Sequence, residues 1–412
     1  MDALHQHFLH ILKTALLGEQ LAASELTEAQ WEQVATLALQ HKVLPLVCDA
    51  VYALPQLSGT EFLARIRKQS RQQVILQTQK SHDFLELYGT LRAAGVTPLV
   101  VKGILCRTLY PRPDHRPSSD EDLLVMPGQF DLCHRILTEQ GMQTQATPAQ
   151  LEKDYEIPYR SVTSPMFIEL HKHLFPPESE AYGDLNRFFA DAFENAVQEN
   201  IDGVPVATLS PTAHLFYLIV HALKHFLHSG FGIRQVCDII LYANARGDQV
   251  DWTVLLEQCR QIRAEYFAAA IFRIGRKHLV FDPEKAHFPQ QWQQLQVSEE
   301  NLLRDILLGG VYGSASMSRQ HSSNITLGAV AASKQNRKAD NALLSSLFPP
   351  VRKLKSRYRW LEKRPWLLPI AWIDRILRYG MERRRSSDNG AAEAWKIGSE
   401  RVALLEEYRI IR

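Results

Sequence analysis

Apolar residues recur every three or four positions over most of this 412-residue chain, and between residues 95 and 175 that spacing fails. Short runs rich in β-branched residues replace it: "VTPLVVKG", "EDLLVM", "YEIPYRSVT" and "MFIELHKHL". Two helical stretches are inserted among them. "ILCRTLY" is stopped by "PRPDHRP", and "PGQFDLCHRILTEQG" starts at Pro127 and stops at Gly141. Strand, helix, strand, helix and a strand pair about Ser164-Pro165 predict a small mixed-sheet domain. The expected fold class is therefore α+β, with a small sheet between helical regions.

The flanks set the organisation. Residues 1–94 read as helical, with Trp31, Val34, Leu37 and Ala38 on one face and a later amphipathic stretch ending at Gly95. The sheet core is assigned to 95–208. A helical bundle is expected at 209–310, opened by Ser210 as N-cap and Pro211, its first helix closed by Gly230. The polar, small-residue stretch at 311–345 reads as a flexible loop. Residues 346–412 read as a basic helical tail. From Arg352 to Arg385 it carries twelve Lys or Arg against three acids, interleaved with Trp360, Trp366 and Trp372. Such a tail suits nucleic acid or an anionic surface, but the net charge of +2 favours a solvated helix with its tryptophans packed on the bundle.

Composition narrows the class. Hydrophobic content of 45% and charged content of 22% fit a soluble globular protein. Five scattered cysteines without a CxxC pair predict free thiols and a cytoplasmic location. The first twenty residues lack the pattern of a signal peptide. No transmembrane segment is expected: the best candidate, "WLLPIAWI", is short and holds Pro369.

Chemistry concentrates at "SSDEDLLV", Ser118 to Val125. On a strand, alternate residues share a face, so Asp120 and Asp122 point one way and Glu121 the other. Two carboxylates on one face suit Mg²⁺, a hard cation that prefers oxygen. Glu169 in "MFIELHKHL" supplies a third acid on a face shared with His171. An unpaired charge there is costly, which argues for a cation partner. These three are the candidate catalytic and metal-binding residues, with Mn²⁺ as a substitute for Mg²⁺. On the later helix, His214, His221, His225 and His228 lie near one face, but no HExxH and no zinc-ligand spacing accompanies them.

Ser119-Asp120-Glu121-Asp122-Leu123 resembles the Ser-Asp-x-Asp-Leu signature of the DNA polymerase β-like nucleotidyltransferase superfamily. More closely, "VVKGILCRTLYPRPDHRPSSDEDLLV" resembles an uncharacterised bacterial nucleotidyltransferase family. That family continues with an acid-Leu-His strand, matched by Glu169-Leu170-His171. A His-x3-His element, an Arg and an Asp follow, matched by His221, His225, Arg234 and Asp238. The resemblance extends from about Leu26 to Leu279. It departs from the superfamily at Lys102-Gly103, where Gly-Ser is usual, and at Glu169, where Asp is commoner.

The resemblance implies a nucleoside triphosphate as substrate and transfer of its nucleoside monophosphate to an acceptor. The acceptor stays open among a protein hydroxyl, a small molecule and an RNA end. Lys102, Gly103, Arg116, Ser119 and His171 are then expected at the nucleotide, with His225, Arg234 and Asp238 contacting substrate or one another. Lys102 offers a point charge to phosphate and Gly103 allows close backbone approach. The rival reading is a catalytically inactive, antitoxin-like binding module on the same fold.

Overall fold

The computed structural model describes residues 1–179, 183–228, 230–309, 317–334, 351–354, 358–362, 364–372, 374 and 390–411. Seven strands form one mixed sheet: β1 (Leu99–Val101), β2 (Glu121–Leu124), β3 (Met142–Gln143), β4 (Glu156–Ser161), β5 (Phe167–His171), β6 (Val197–Ile201) and β7 (Val204–Thr208). Their order is β3-β4-β5-β2-β1-β7-β6. β2 runs parallel to β5 and β1 parallel to β7, and the other pairs are antiparallel. The β6–β7 hairpin turns on Asp202 and Gly203, both at positive φ. Asp-Gly between short strands is a strong hairpin signal, and the reading above passed over it.

The helices before the sheet are α1 (Ala3–Leu16), α2 (Glu28–Gln40), α3 (Leu44–Val51) and α4 (Glu61–Ala93). Within the sheet region lie α5 (Gly103–Arg107), α6 (Phe130–Glu139) and α7 (Pro148–Lys153). After it come α8 (Pro211–His228), α9 (Ile233–Arg246), α10 (Trp252–Gln261) and α11 (Glu265–His278).

The sheet divides two cores, because alternate residues face opposite sides. Val100, Leu123, Ile168 and Leu170 pack with Phe84, Tyr88 and Leu91 of α4 and with α6. Leu99, Val101 and Leu124 join the larger core built by α1–α3 and α8–α11. Tyr88 fastens α4 to the sheet: its hydroxyl donates to the Pro98 carbonyl at 3.0 Å and accepts from Ala207 N–H at 2.9 Å. Asp122 lies on the face of Leu124, so it is turned toward α8. Glu121 lies on the face of Leu123, toward α4.

Two expectations fail. Part of the stretch read as a flexible loop, 311–345, is an α-helix, Met317–Lys334. Among its described residues Ile325, Ala329 and Val330 are buried and Leu327 and Ala332 partly so, interspersed with small polar residues, which blurs the period. Close helix approach supplies the burial instead: a Cβ on Gly398 of the helix Gly390–Glu407 would sit 2.5 Å from Ile325 Cδ1. In the basic tail, Trp360 and Trp366 are exposed rather than packed on the bundle. Trp372 packs with a small local cluster of Leu354, Tyr358, Leu361 and Ala371. Residues 375–389, with five of the tail's arginines, lie outside the described residues. No described helix is long and apolar enough to cross a membrane.

Candidate active site

The turn after β1 sets the geometry. Lys102 and Gly103 both have positive φ, +50° and +41°. The backbone thus turns sharply into α5, and Glu121 reaches across beneath it. Glu121 Oε2 accepts from Ile104 N–H at 2.7 Å, Oε1 accepts from Ser118 Oγ at 2.7 Å, and Lys80 Nζ of α4 lies 4.0 Å from Oε1. A Cβ at residue 103 would fall 1.9 Å from Glu121 Oε2. Gly103 lines the recess, and its lack of a Cβ makes room for this carboxylate. Gly103→Ala should therefore destabilise the fold by at least about 2 kcal/mol, from backbone strain and the displaced acceptor. Urea unfolding measures this, and an unchanged midpoint would contradict the packing.

On the opposite face, β2 and β5 place Asp122 beside Glu169 in register. Asp122 is buried, at 1% exposure. His171 Nε2 lies 3.4 Å from Asp122 Oδ1 and 3.7 Å from Glu169 Oε2. Ligand atoms of Asp122, Glu169 and His171 all lie within 4.8 Å of one another. His171 Nδ1 is 3.3 Å from the His173 carbonyl. A carbonyl only accepts, so that contact puts a proton on Nδ1, and Nε2 is the nitrogen turned to the two carboxylates. Two carboxylates so close together repel each other, and a cation between them, a divalent ion or a proton on Nε2, relieves this. Asp122 Oδ2 makes no hydrogen bond among the described residues, although the Lys102 ammonium lies 2.7 Å away. The donor set, two carboxylates and an imidazole tied to a backbone carbonyl, fits a divalent ion. It differs from the expected set: His171 joins the cluster, and Asp120 stands outside it beside Lys102.

Lys102 lies on the other side of Asp122. Its Nζ is 2.7 Å from Asp122 Oδ2, 3.6 Å from Asp120 Oδ2 and 3.3 Å from His221 Nε2. Its backbone N–H donates to His214 Nε2 at 3.2 Å. His214 must then carry its proton on Nδ1, which faces Thr208 Oγ1 at 3.4 Å; that hydroxyl donates to the Val100 carbonyl at 2.7 Å. Burial lowers the His214 pKa to about 3 and that of His225 to about 3, with Lys102 adding to the second shift. His221 is also pushed well down by burial and by Lys102. The histidines of α8 are thus a neutral face against Lys102. His221 Nδ1 faces the Gln235 amide nitrogen at 3.4 Å while Gln235 Oε1 has no partner. Turning the amide end for end brings Oε1 to Nδ1–H as an acceptor.

A recess of about 780 Å³, counted out to its open mouth, adjoins these groups. Lys42, Lys102, Ser118, Ser119, Asp120, His221, His225 and Arg234 line it, with Arg116 and Asp238. Lys42 Nζ bonds Ser119 Oγ, and Arg234 Nη1 bonds the Pro117 carbonyl. Arg234 Nε is buried without a hydrogen-bond partner among the described residues. Burial and Arg116 weaken its hold on its proton, as expected of an undercompensated cation. The Asp120 carboxyl is pushed up by burial, but Lys102, Lys80, Arg234 and Lys42 outweigh this and hold it well below the usual range.

The sequence profile of a family described as uncharacterised nucleotidyltransferase matches residues 27–279, more than half of the chain. The chain belongs to this family. No curated protein matches it. Among solved structures it is similar to the antibiotic-resistance factor ANT(2'')-Ia, at 15% identity, 46% of this chain, 95% of that chain and a TM-score of 0.33. An antigenic nucleotidyltransferase-like protein from Paracoccidioides brasiliensis matches at 16% identity, 52% of this chain, 96% of that chain and a TM-score of 0.29.

In this nucleotidyltransferase the expected residues fall into two groups. Lys102, Gly103, Ser119, Asp120, His225 and Arg234 open on the recess, and Asp122, Glu169 and His171 gather beside it. Arg116 and Asp238 border the recess but are committed to each other. Arg116 Nε and Nη2 donate to Asp238 at 3.0 and 2.6 Å, and Tyr110 OH donates to it at 2.8 Å. Lys42, His214 and Gln235 were not expected. Lys42 sits between α2 and α3 at positive φ, and no local pattern marks it. His214 carries a fainter signal, since it precedes His221 by two helical turns.

Proposed function

We propose that this nucleotidyltransferase has a polymerase β-like core and transfers a nucleoside monophosphate from an NTP to an acceptor hydroxyl, with Mg²⁺ or Mn²⁺. The observation that carries the reading is one juxtaposition. The Asp122, Glu169 and His171 cluster adjoins a recess lined by Lys42, Lys102 and Arg234.

Asp122, Glu169 and His171 would hold the metal, with Asp120 completing the acidic side. A divalent ion bound there supplies charge neutralisation for the phosphates and the leaving group. Lys42, Arg234 and Ser119 receive the triphosphate; a flexible ammonium and a planar guanidinium together suit its several oxygens. The acceptor oxygen attacks the α-phosphorus, the bond to the bridging oxygen breaks, and pyrophosphate leaves. Where Glu169, partly exposed at 28%, is not engaged by the ion, it takes the acceptor's proton.

Isothermal titration of ATP, CTP, GTP and UTP with Mg²⁺ against the wild type and an Asp120→Ala/Asp122→Ala variant tests the reading. Metal-dependent binding by the wild type alone supports it. Equal binding by both proteins, or none by either, sinks it. The same titration carries a pH signature. Burial, then Arg234, lower the Lys42 pKa to about 8, against the pull of Asp120. A triphosphate favours the ammonium, so binding takes up a proton near that value. Affinity should fall as pH rises from about 7 to 9, by up to about tenfold per unit. Lys42→Met should weaken binding at pH 7 and flatten this limb.

A further inference from the structure

We infer that Lys102 is a resident counter-ion of the metal site, so that the divalent ion and the nucleotide enter as a pair. The inference rests on the metal-site reading above and concerns what the site does without metal.

Asp122 is almost wholly buried, and a buried carboxylate requires a compensating charge. Lys102 supplies it, 2.7 Å from Oδ2, and also lies 3.6 Å from Asp120. The contact to Oδ2 is an ion pair without hydrogen-bond geometry, since that oxygen has no hydrogen bond. An ammonium held by position between two carboxylates occupies ground that a divalent ion would claim. The lysine is aimed there from both ends. Its backbone is held at positive φ by His214 Nε2, and its Nζ rests against His221 Nε2.

A metal ion arriving alone must displace this ammonium. The displaced group then has Asp120 alone to pair with, in a lining where Asp238 is committed to Arg116 and where Lys42 and Arg234 repel it. A nucleotide changes the balance. Its phosphates, seated in the recess that Lys102 also lines, give the ammonium a new partner while the metal takes its place on Asp122. Binding of either ligand then raises the affinity for the other, by one common factor. A free divalent ion is kept off the site, and the reactive arrangement forms only around substrate.

The test is Mn²⁺ titration without nucleotide, read from the electron paramagnetic resonance signal of free Mn²⁺. Lys102→Met should bind Mn²⁺ at least about tenfold tighter than the wild type, and Lys102→Met/Asp122→Asn should lose that gain. Lys102→Gln is run in parallel, with circular dichroism as the fold check. A second reading is melting temperature: Mn²⁺ alone should stabilise Lys102→Met more than the wild type, since the variant leaves Asp122 uncompensated. Equal Mn²⁺ binding by wild type and both Lys102 variants, lost on Asp122→Asn, overturns the counter-ion role and leaves the metal site standing. Absence of Mn²⁺ binding from every protein, with and without ATP, overturns the metal site and this inference together.

Discussion

Asp122→Asn should cost at least about 10³-fold in nucleotidyl transfer while the protein stays folded. Asp122 is the point where every charged element of the site meets. It pairs in register with Val101 on one side and Glu169 on the other. One of its oxygens faces His171 and the other faces Lys102. Asparagine keeps the shape and removes the charge. The cluster then loses its most buried anionic donor, and Lys102 keeps only Asp120. Folding should tolerate the change, because Asp122 is itself crowded by Glu169 and the neutral amide relieves that repulsion. Asp120→Asn should be milder, about 10- to 100-fold, since Asp120 is partly exposed and lies outside the compact ligand group. Transfer of label from an α-labelled NTP into cell extract measures both, with thermal melting as the fold control. Activity of Asp122→Asn within tenfold of the wild type would remove Asp122 from the centre of the mechanism.

What the sequence revealed, and what it hid, follows from the range of each interaction. Alternation along a strand is local, so the division of Asp120 and Asp122 from Glu121 was legible from five residues. Glu121 indeed turns to the other face, where it caps α5 and packs against Gly103. That Asp122 lies opposite Glu169 depends on β2–β5 register, which no local pattern dictates. The Nδ1 contact of His171 is to the carbonyl of His173, two residues away but past the strand end. Lys102 shows the limit most clearly. The sequence supplies a cation at a strand end and suggests phosphate; only tertiary structure shows that two aspartates already surround it. Lys42 comes from the helical region ahead of the sheet and reaches Ser119 across 77 positions. The helix Met317–Lys334 was hidden for another reason. It packs closely on a distant helix at Gly398, a contact that no local pattern announces.

Arg116 and Asp238 should behave as a structural clamp, although both border the recess. Arg116→Met alone should destabilise the fold by about 3–5 kcal/mol, and Asp238→Leu alone by a similar amount. Each single change leaves a buried charge without its partner: the two side chains are 3% and 5% exposed. The carboxylate has little capacity left for substrate, with two bonds from Arg116 and one from Tyr110. Burial pushes the Asp238 carboxyl up, but Arg116 outweighs it and holds the group below its usual range. Its contribution is therefore present above about pH 4 and lost as pH falls through the lowered value. Arg116 also donates to the Gly103 carbonyl at 3.3 Å, so the clamp ties α9 to the turn that positions Lys102. The double variant Arg116→Met/Asp238→Leu removes both charges and should recover most of the lost stability. Urea unfolding of the four proteins gives the coupling energy directly. Full stability in the single variants, with nucleotide affinity lost instead, would make the pair substrate ligands after all. The expected pattern is the opposite: stability returns in the double variant while nucleotide affinity stays impaired, because Lys102 and Gly103 are no longer held from behind.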